Sequence, residues 1–408
     1  MKTIASLLAL LLMTGCAKQE VAAPSGPRPK SGLSFETKAP DDAPERQSLL
    51  DLSRGASVVS RTGESMLQFS ALQAIDGDPG SWWATPPRDL PQSMIIALPA
   101  RSRIDAVGIR TVEGGRFTAG HVQFDVSLDG RKFTPLATIK SADSGEAQWF
   151  NVTPTEAKRI RVTLVDAFAP GQDVHLCSVL ARGAELESAQ SGDISGCWSV
   201  NGRAARFTRY EGHVSGVMEM GGRPLFFDGG SDGRLYRLNW IRGNDYGLTA
   251  ITVSPDGAAM SGVQWHEEAI PFFFADSWFG AHGKCGSTAE GDDTALRLLQ
   301  RVGRLPLFGL RFRDDGSLDA AASAPTLQWL SHFLEHNSAR IVAHEFRQST
   351  PERNREFARR ELNALRQQLA SAGSRVEFIA QGSDSPRQTP VTETMRAIYS
   401  SVDLEIRR

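Results

Sequence analysis

The chain contains few cysteines, no excess of charge of either sign and, beyond its first residues, no long apolar run. No stretch after residue 16 is long and apolar enough to span a bilayer, so no transmembrane helix is expected there. Lys and Arg number 45 against 47 Asp and Glu, which gives a net charge of −2. This balance provides no field that attracts nucleic acid, so nucleic acid is not expected as a partner.

An export signal opens the chain. Residues 1–16 read MKTIASLLALLLMTGC, with a charged start, an apolar stretch and a small-residue end, which is the pattern of a signal peptide. An ordinary secretory signal or a membrane-spanning helix is the alternative interpretation, although the apolar run is short for a helix that spans.

The end of this segment resembles the bacterial lipobox. The resemblance implies that a 1–15 signal peptide is cleaved off and that Cys16 is acylated, so that lipid chains anchor the protein. Ala17 follows the cysteine, and by the same resemblance this favours the outer membrane. We therefore expect a lipid-anchored body in the periplasm, with exposure at the cell surface as the alternative.

The cysteines after the signal have different expected roles. Disulfides persist in exported proteins, and Cys197 and Cys285 bracket one segment rich in glycine and aromatic residues, so a disulfide between them is predicted. Cys177 lies in the apolar run VHLCSVL and is expected to pack as a buried thiol rather than to react.

Composition divides the chain into several units. A chain of 408 residues is longer than a chain that folds around a single hydrophobic core usually is, so a multidomain protein is expected. Residues 16–47 are rich in Pro, Ala, Lys and Ser and are predicted to form a flexible tether. Residues 48–186 show short alternating runs separated by Asp-Gly and Pro-Gly turns, which predicts an antiparallel β-sandwich.

This segment resembles the discoidin, or coagulation-factor type C, family of galactose-binding-like jelly-roll sandwiches. The matching stretches are AIDGDPGSWWAT, SLDGRKFTPL, Trp149 and AKRIRVTLV. In the family the Asp-Gly-rich turn often binds a structural calcium ion, which implies a site made by Asp76, Asp78 and Ser81. Ser178 stands where a family glutamate would help to complete that site. No other cofactor is expected.

Two adjacent tryptophans lie in the same turn. Trp82 and Trp83 are expected to point in opposite directions, one into the core and one outward. The outward ring is a candidate for stacking on a sugar or a partner, and the alternative is a half-buried rim residue without a ligand. Many members of the family bind glycans or lipid headgroups at loop tips, which makes a glycan a candidate partner.

Residues 191–288 are rich in Gly and Trp and are predicted to form a small antiparallel barrel or curled sheet. The polar residues that invite comparison with an active site are His213, Asp232, His266, Glu267 and Glu268. Their spacing sets up no nucleophile with its base, so we interpret them as solvated residues at strand ends.

The hydrophobic period becomes helical in residues 293–408, where Leu327, Leu330 and Leu334 share one helix face. Predicted strands RIVAHEF, RVEFIAQG and VDLEIR, with a charge-dense helix from about Pro351, complete an α/β unit. The order of elements, together with PLFGLRF and the terminal SSVDLEI, resembles the OmpA-like peptidoglycan-associating domain.

In that family an Asp and an Arg pair with the amine and the carboxylate of diaminopimelate. Phe346 and Glu361 stand at the matching positions, and neither can make those pairs. Asn354 fits the family's Asn, and Arg360 lies one residue before the Arg. The resemblance therefore implies either peptidoglycan contact through Asn354 and Arg360 or a degenerate domain used for protein contacts.

Together these features predict a lipoprotein that is not an enzyme and that binds or scaffolds within the cell envelope. Its expected partners are a glycan, peptidoglycan or envelope proteins. One alternative is a periplasmic glycan-active hydrolase with an accessory sandwich, although the usual paired carboxylates are not recognisable. The other is a sensor or assembly factor for surface machinery.

Overall fold

The computed structural model describes residues 48–66, 69–86, 90–112, 117–169, 173–266, 276–286, 293–348, 350–370, 375–384 and 392–406. The predicted signal peptide, the lipidation site at Cys16 and the tether lie outside these residues. Within the described ranges, no helix is long and apolar enough to cross a membrane.

Seven strands form the first unit. They are β1 Ser57–Arg61, β2 Trp83–Thr85, β3 Gln92–Thr111, β4 Ala119–Ser127, β5 Thr134–Lys140, β6 Gln148–Ala167 and β7 Val174–Glu185. The sheet has the order β2-β7-β3-β6-β4-β5, and β1 pairs with β3. Strands β3 and β6 each have 20 residues and shift register between Ala97 and Ser102, as bulged strands do where they bend. The sheet thereby folds over a common core that includes Met94, Ile96 and Phe124.

A closed barrel of eight antiparallel strands follows. Its strands are β8 Gly196–Val200, β9 Arg203–Tyr210, β10 His213–Met218, β11 Leu225–Ser231, β12 Tyr236–Arg242, β13 Asp245–Val253, β14 Ala259–His266 and β15 Asp276–His282. Each strand pairs with the next, and β15 pairs with β8 to close the barrel. Trp198, Phe207, Phe227 and Trp240 are fully buried and help to fill the interior with side chains.

A disulfide joins Cys197 of β8 to Cys285, which follows β15, with 4.9 Å between the Cα atoms. The bridge therefore lies where the barrel closes, because β8 and β15 are the strands that meet there. Cys177 on β7 is fully buried beside Trp82 and Val112. It is disulfide-bonded, with a partner outside the described residues, so the expectation that it packs as a thiol is wrong.

The last unit is α/β. Its elements are α1 Thr294–Val302, β16 Arg304–Pro306, α2 Ala324–His336, β17 Ala339–His344, α3 Pro351–Gln368, β18 Val376–Ala380, α4 Glu393–Tyr399 and β19 Ser401–Ile406. The sheet order is β16-β19-β17-β18, and α3 connects the parallel pair β17 and β18. From β16 onward this is the predicted succession of strands and helices, with α1 in addition.

The three units share hydrophobic cores. Leu248 and Trp265, on the outer wall of the barrel, belong to the core of the sandwich. Phe226 and Ile241, also on the barrel, belong to the core of the α/β unit. Met395 of α4 reaches the sandwich core. The barrel is thus packed on both neighbours.

Candidate functional site

The two adjacent tryptophans are both buried. Trp83 is fully buried in the sandwich core, and its Nε1 donates to the main-chain oxygen of Gly63 at 2.8 Å. Trp82 points to the other side, as expected, but only 5% of it is exposed. Phe69 and His175 stack on its ring, each with 5.3 Å between ring centroids. The prediction that one of these rings is open to a ligand is therefore wrong, because neighbouring aromatic side chains cover it.

The stack continues to the rim of the sandwich. His175 also stacks on Phe117, with ring centroids 4.7 Å apart. The row Phe69, Trp82, His175 and Phe117 lies where β3 ends and where β4 and β7 begin. The main-chain N–H of His175 donates to Phe117 O at 2.7 Å, which fixes the two segments side by side.

An exposed aromatic residue lies at the same rim. Phe168 is 50% exposed, and its main-chain N–H donates to Thr118 O at 2.9 Å. Asp166, two residues earlier, is exposed and lies 2.9 Å from Nδ1 of His121 on the neighbouring strand. We name the surface formed by Phe117, Phe168, His175, His121 and Asp166 the aromatic end.

The aromatic end combines the groups that bind sugars. Burial lowers the pKa of His175 to about 4, against the opposing charge of Asp173, so its imidazole is neutral near pH 7. The hydroxyl groups of a sugar form hydrogen bonds with carboxylates and imidazoles, and the C–H face of its ring packs on aromatic side chains. Phe168 provides such a face, and the pair of His121 and Asp166 provides donor and acceptor atoms. Sequence reasoning chose the tryptophans and missed Phe168, whose exposure no local pattern reveals.

The residues of the implied calcium loop come together. Ser81 Oγ lies within 3.0 Å of the Asp76 carboxylate and of the main-chain oxygens of Gln73 and Asp78. Asp76 is buried, and burial followed by the charge of Asp78 raises the pKa of its carboxyl well above the usual value. The donor set consists only of oxygen atoms, which suits a hard cation such as calcium.

An acidic residue that the sequence analysis did not consider lies beside this loop. Asp51 is buried, and burial raises the pKa of its carboxyl to about 7. Asp51 and Ser178 line the same cavity of about 10 Å³. A carboxylate from a distant part of the chain thus lies next to the serine that replaces the family glutamate. The oxygens present fit calcium, and Asp51 with Asp76 would supply its charge.

The residues predicted to contact peptidoglycan do not form an open site. Asn354 is buried, and its Oδ1 accepts a hydrogen bond from the main chain of Gln348 at 2.9 Å. Arg360 is exposed, with its guanidinium 5.1 Å from the ring centroid of Phe357. Asn354 is thus used inside the fold, whereas Arg360 lies on its surface, and contact of the two with peptidoglycan stays a prediction.

Glu361 belongs to a buried network of charges. Arg347 Nη2 lies 2.6 Å from Glu345 Oε2 and 3.7 Å from Glu361 Oε1. Burial and then the charge of Glu345 raise the pKa of Glu361 to about 8. Arg237 of the barrel lines the same cavity, which measures about 30 Å³. A space of this size is far below that of usual ligand pockets.

A larger cleft lies between the barrel and the α/β unit. Its volume is about 390 Å³, within the range of small-ligand sites. His213 Nε2 lies 3.3 Å from Asp228 Oδ2. Burial lowers the pKa of His213, but the hydrogen bond and charge of Asp228 outweigh it and leave the pKa raised. Thr326 is buried, and its Oγ1 has no hydrogen-bond partner within the described ranges.

Among the described residues, the cleft is lined by one of the polar barrel residues that the sequence analysis compared with an active site. His213 lines it, half-buried rather than solvated. His266 instead lies at the end of β14, edge-on to Trp240 with 4.9 Å between ring centroids. Asp232 lines the small cavity beside Arg237. Glu267 and Glu268 lie outside the described residues.

The family that matches this chain is the F5/8 type C domain, over residues 56–178. No curated protein matches. The C-terminal domain of a chitobiase from Bacteroides fragilis is 20% identical and covers 33% of this chain and 98% of its own, with a TM-score of 0.31. A family 32 carbohydrate-binding module from C. perfringens, in complex with galactose, is 20% identical and covers 31% of this chain and 98% of its own, with a TM-score of 0.27. Residues 56–178, which span β1 to the first part of β7, are thus a discoidin-like F5/8 type C domain within a longer chain.

Proposed function

We propose that this protein is a lipid-anchored protein of the bacterial outer membrane that binds a glycan through its discoidin-like sandwich and performs no catalysis. The observation that carries the proposal is the aromatic end, where Phe168 is half exposed two residues after Asp166, whose carboxylate lies 2.9 Å from Nδ1 of His121. The barrel and the α/β unit, packed against each other, would serve as the scaffold that holds this surface.

Glycan binding is tested with the whole mature chain. Galactose, N-acetylgalactosamine, N-acetylglucosamine, their short oligomers and purified sacculi are offered in titration and pull-down experiments. Phe168→Ala should weaken the binding of the preferred sugar about fivefold, because an aromatic contact of this kind contributes on the order of 1 kcal/mol. Tyr210→Ala is the matched control, since Tyr210 is 66% exposed on the barrel. Binding of no member of the panel, or equal loss in both variants, would contradict the proposal.

Membrane anchoring through Cys16 rests on the Thr14-Gly15-Cys16 ending of the export signal. Cys16→Ser should abolish labelling by a fatty-acid analogue and release the protein from the membrane fraction. Undiminished labelling of this variant would exclude the anchor.

The α/β unit is proposed to be an OmpA-like domain that has lost peptidoglycan binding. Glu361 and Phe346 are both buried at the positions that matter in that family, and the cavity beside Glu361 is about 30 Å³. The expected result is that Arg360→Ala leaves the binding of the chain to purified sacculi unchanged. If free diaminopimelate displaced the protein from sacculi, this part of the proposal would be contradicted.

A glycan-active hydrolase is the second candidate, and the cleft of about 390 Å³ with its His213–Asp228 pair is the observation that favours it. The two candidates are distinguished by incubating the protein with the glycans that it retains. Retention without product supports a binding protein. Product release that is lost in His213→Ala supports the hydrolase.

A further inference from the structure

The last turns of α2 carry two histidines and a glutamate on one face. His332, Glu335 and His336 follow the spacing i, i+3, i+4, which brings side chains together on a helix. Two histidines one turn apart with a glutamate beside them are residue types with which helices hold zinc. The His-x-x-x-His spacing of His332 and His336 can be read directly from the sequence SHFLEHN.

The geometry of the three side chains suits one metal ion. Within the described residues they form a group whose possible ligand atoms all lie within 4.8 Å of one another. His332 Nδ1 lies 3.3 Å from Glu335 Oε2, and His336 Nε2 lies 4.0 Å from the same oxygen. Zinc holds nitrogen and oxygen ligands at about 2.0–2.2 Å in a tetrahedron, so its donor atoms are roughly 3.3 Å apart. The His332–Glu335 distance already has this value, the His336–Glu335 distance needs a shift of less than 1 Å, and the two histidine nitrogens lie within 4.8 Å of each other.

The side chains are free to make that adjustment. The exposed fractions of His332, Glu335 and His336 are 78%, 63% and 74%, so rotation about their bonds meets little packing. The imidazole rings lie perpendicular, with 5.8 Å between centroids, which leaves room for an ion between them.

A cavity adjoins the group. His332 and His336 line a space of about 330 Å³ together with Trp329, Phe333 and Leu299. An ion held by three protein atoms keeps a fourth tetrahedral position for water or an added ligand. The cavity provides space for that ligand next to the helix.

We propose that His332, Glu335 and His336 form a surface site for a divalent transition metal, with zinc as the expected ion. Imidazole nitrogens favour zinc, nickel and copper over calcium and magnesium, which prefer oxygen ligands. The site is independent of the glycan-binding proposal, because it lies on α2 rather than on the sandwich.

The test is calorimetric titration of the tag-free, metal-stripped mature chain with zinc chloride. One ion per chain is expected to bind at this site, and His332→Ala and His336→Ala should each weaken its binding at least tenfold. The double variant should lose it. His121→Ala is the matched control, since His121 also pairs with a carboxylate at an exposed position and should leave this binding unchanged.

All of these substitutions are at exposed positions, so the unfolding temperature measured in EDTA should stay within about a degree of the unsubstituted chain. The wild-type chain and the His121→Ala control should gain unfolding temperature when zinc is added, whereas the double variant should not, because an ion that binds only the folded state stabilises it. Zinc binding of the same affinity in the double variant, or no zinc binding by the wild-type chain, would overturn the proposal.

Discussion

At the scale of single residues, burial decides the charge state of His175. Its pKa is about 4 in the folded chain, against 6.5 for an unperturbed imidazole. The unfolded chain therefore takes up a proton near pH 6.5, which the folded chain does not take up until about pH 4. Protonation favours unfolding across this window, so the free energy of unfolding falls as the pH falls from 6.5 towards 4.

His175→Gln should remove this contribution. Between pH 7 and pH 5 the wild-type chain should lose about 1–2 kcal/mol more stability than the variant. Urea unfolding at the two pH values measures the difference. Leu128 is 53% exposed and carries no titrating group, so Leu128→Gln is the control and should keep the wild-type dependence. An identical pH dependence in the chain with His175→Gln would show that His175 is not titrating in a buried environment.

Asp76 is a second residue whose environment gives a test. Its carboxylate lies beside Asp78 and near Asp51, and burial, followed by the charges of Asp78 and Asp51, raises its pKa. Calcium should raise the unfolding temperature of the wild-type chain, because the ion would bind these oxygens only in the folded state. Asp76→Asn should abolish that rise, although in EGTA the variant should be at least as stable as the wild type. Magnesium is the control ion, since it demands a tighter octahedral shell. No change of unfolding temperature with calcium would exclude the site.

At the scale of elements, the closure of the barrel depends on β8 and β15. Among the described residues, β15 pairs with β8 only from Gly280 to His282, which is shorter than any other strand pairing in the barrel. The disulfide from Cys197 to Cys285 joins the same two ends of the barrel across a sequence separation of 88 residues. It therefore adds a covalent link where hydrogen bonding between strands is least extensive.

Removal of this link should destabilise the barrel. The chain-entropy treatment of a loop of this length gives about 4 kcal/mol for the double substitution Cys197→Ser and Cys285→Ser. Chemical denaturation of the wild-type chain and of this variant, both without reductant, measures it. Mass mapping of unreduced peptides provides the independent check. Detection of both cysteines as free thiols in exported protein would contradict the prediction.

At the scale of the whole molecule, one buried arginine connects the barrel to the α/β unit. Arg237 projects from β12, and its Nη1 donates to the main-chain oxygens of Ala397 and Ser400, each at 3.0 Å. Burial lowers the pKa of Arg237, while the charge of Asp232 on the barrel, followed by those of Glu361 and Glu345 in the α/β unit, opposes that effect. The guanidinium thus satisfies carbonyl groups and balances carboxylates that belong to a different unit.

Arg237→Met should cost about 3 kcal/mol or more of unfolding free energy, because buried carbonyls and carboxylates lose their partner. Arg242→Met, on the same strand, is the control. Arg242 pairs with Asp245 at 3.3 Å near the surface, so its loss should cost less than 1 kcal/mol. Denaturant unfolding monitored by tryptophan fluorescence compares the two variants. Equal stability of both variants would show that the contact between the units does not depend on Arg237.

Local patterns in the sequence determined much of this protein. Alternating apolar residues predicted the sandwich strands, because side chains on a strand point to opposite faces. The Pro at the start of the charge-dense helix marked its first residue, Pro351, and α3 does begin there. These features follow from interactions between residues close in sequence, so a single sequence reveals them.

Tertiary structure alone decided which side chains are open to a ligand. Trp82 is covered by Phe69 and His175, whereas Phe168 is left half-exposed. Asp51 reaches the calcium loop, and Arg237 reaches the α/β unit, from distant parts of the chain. Burial and electrostatics depend on every neighbour in space, and neighbours that are far apart in sequence leave no local pattern by which they could be recognised.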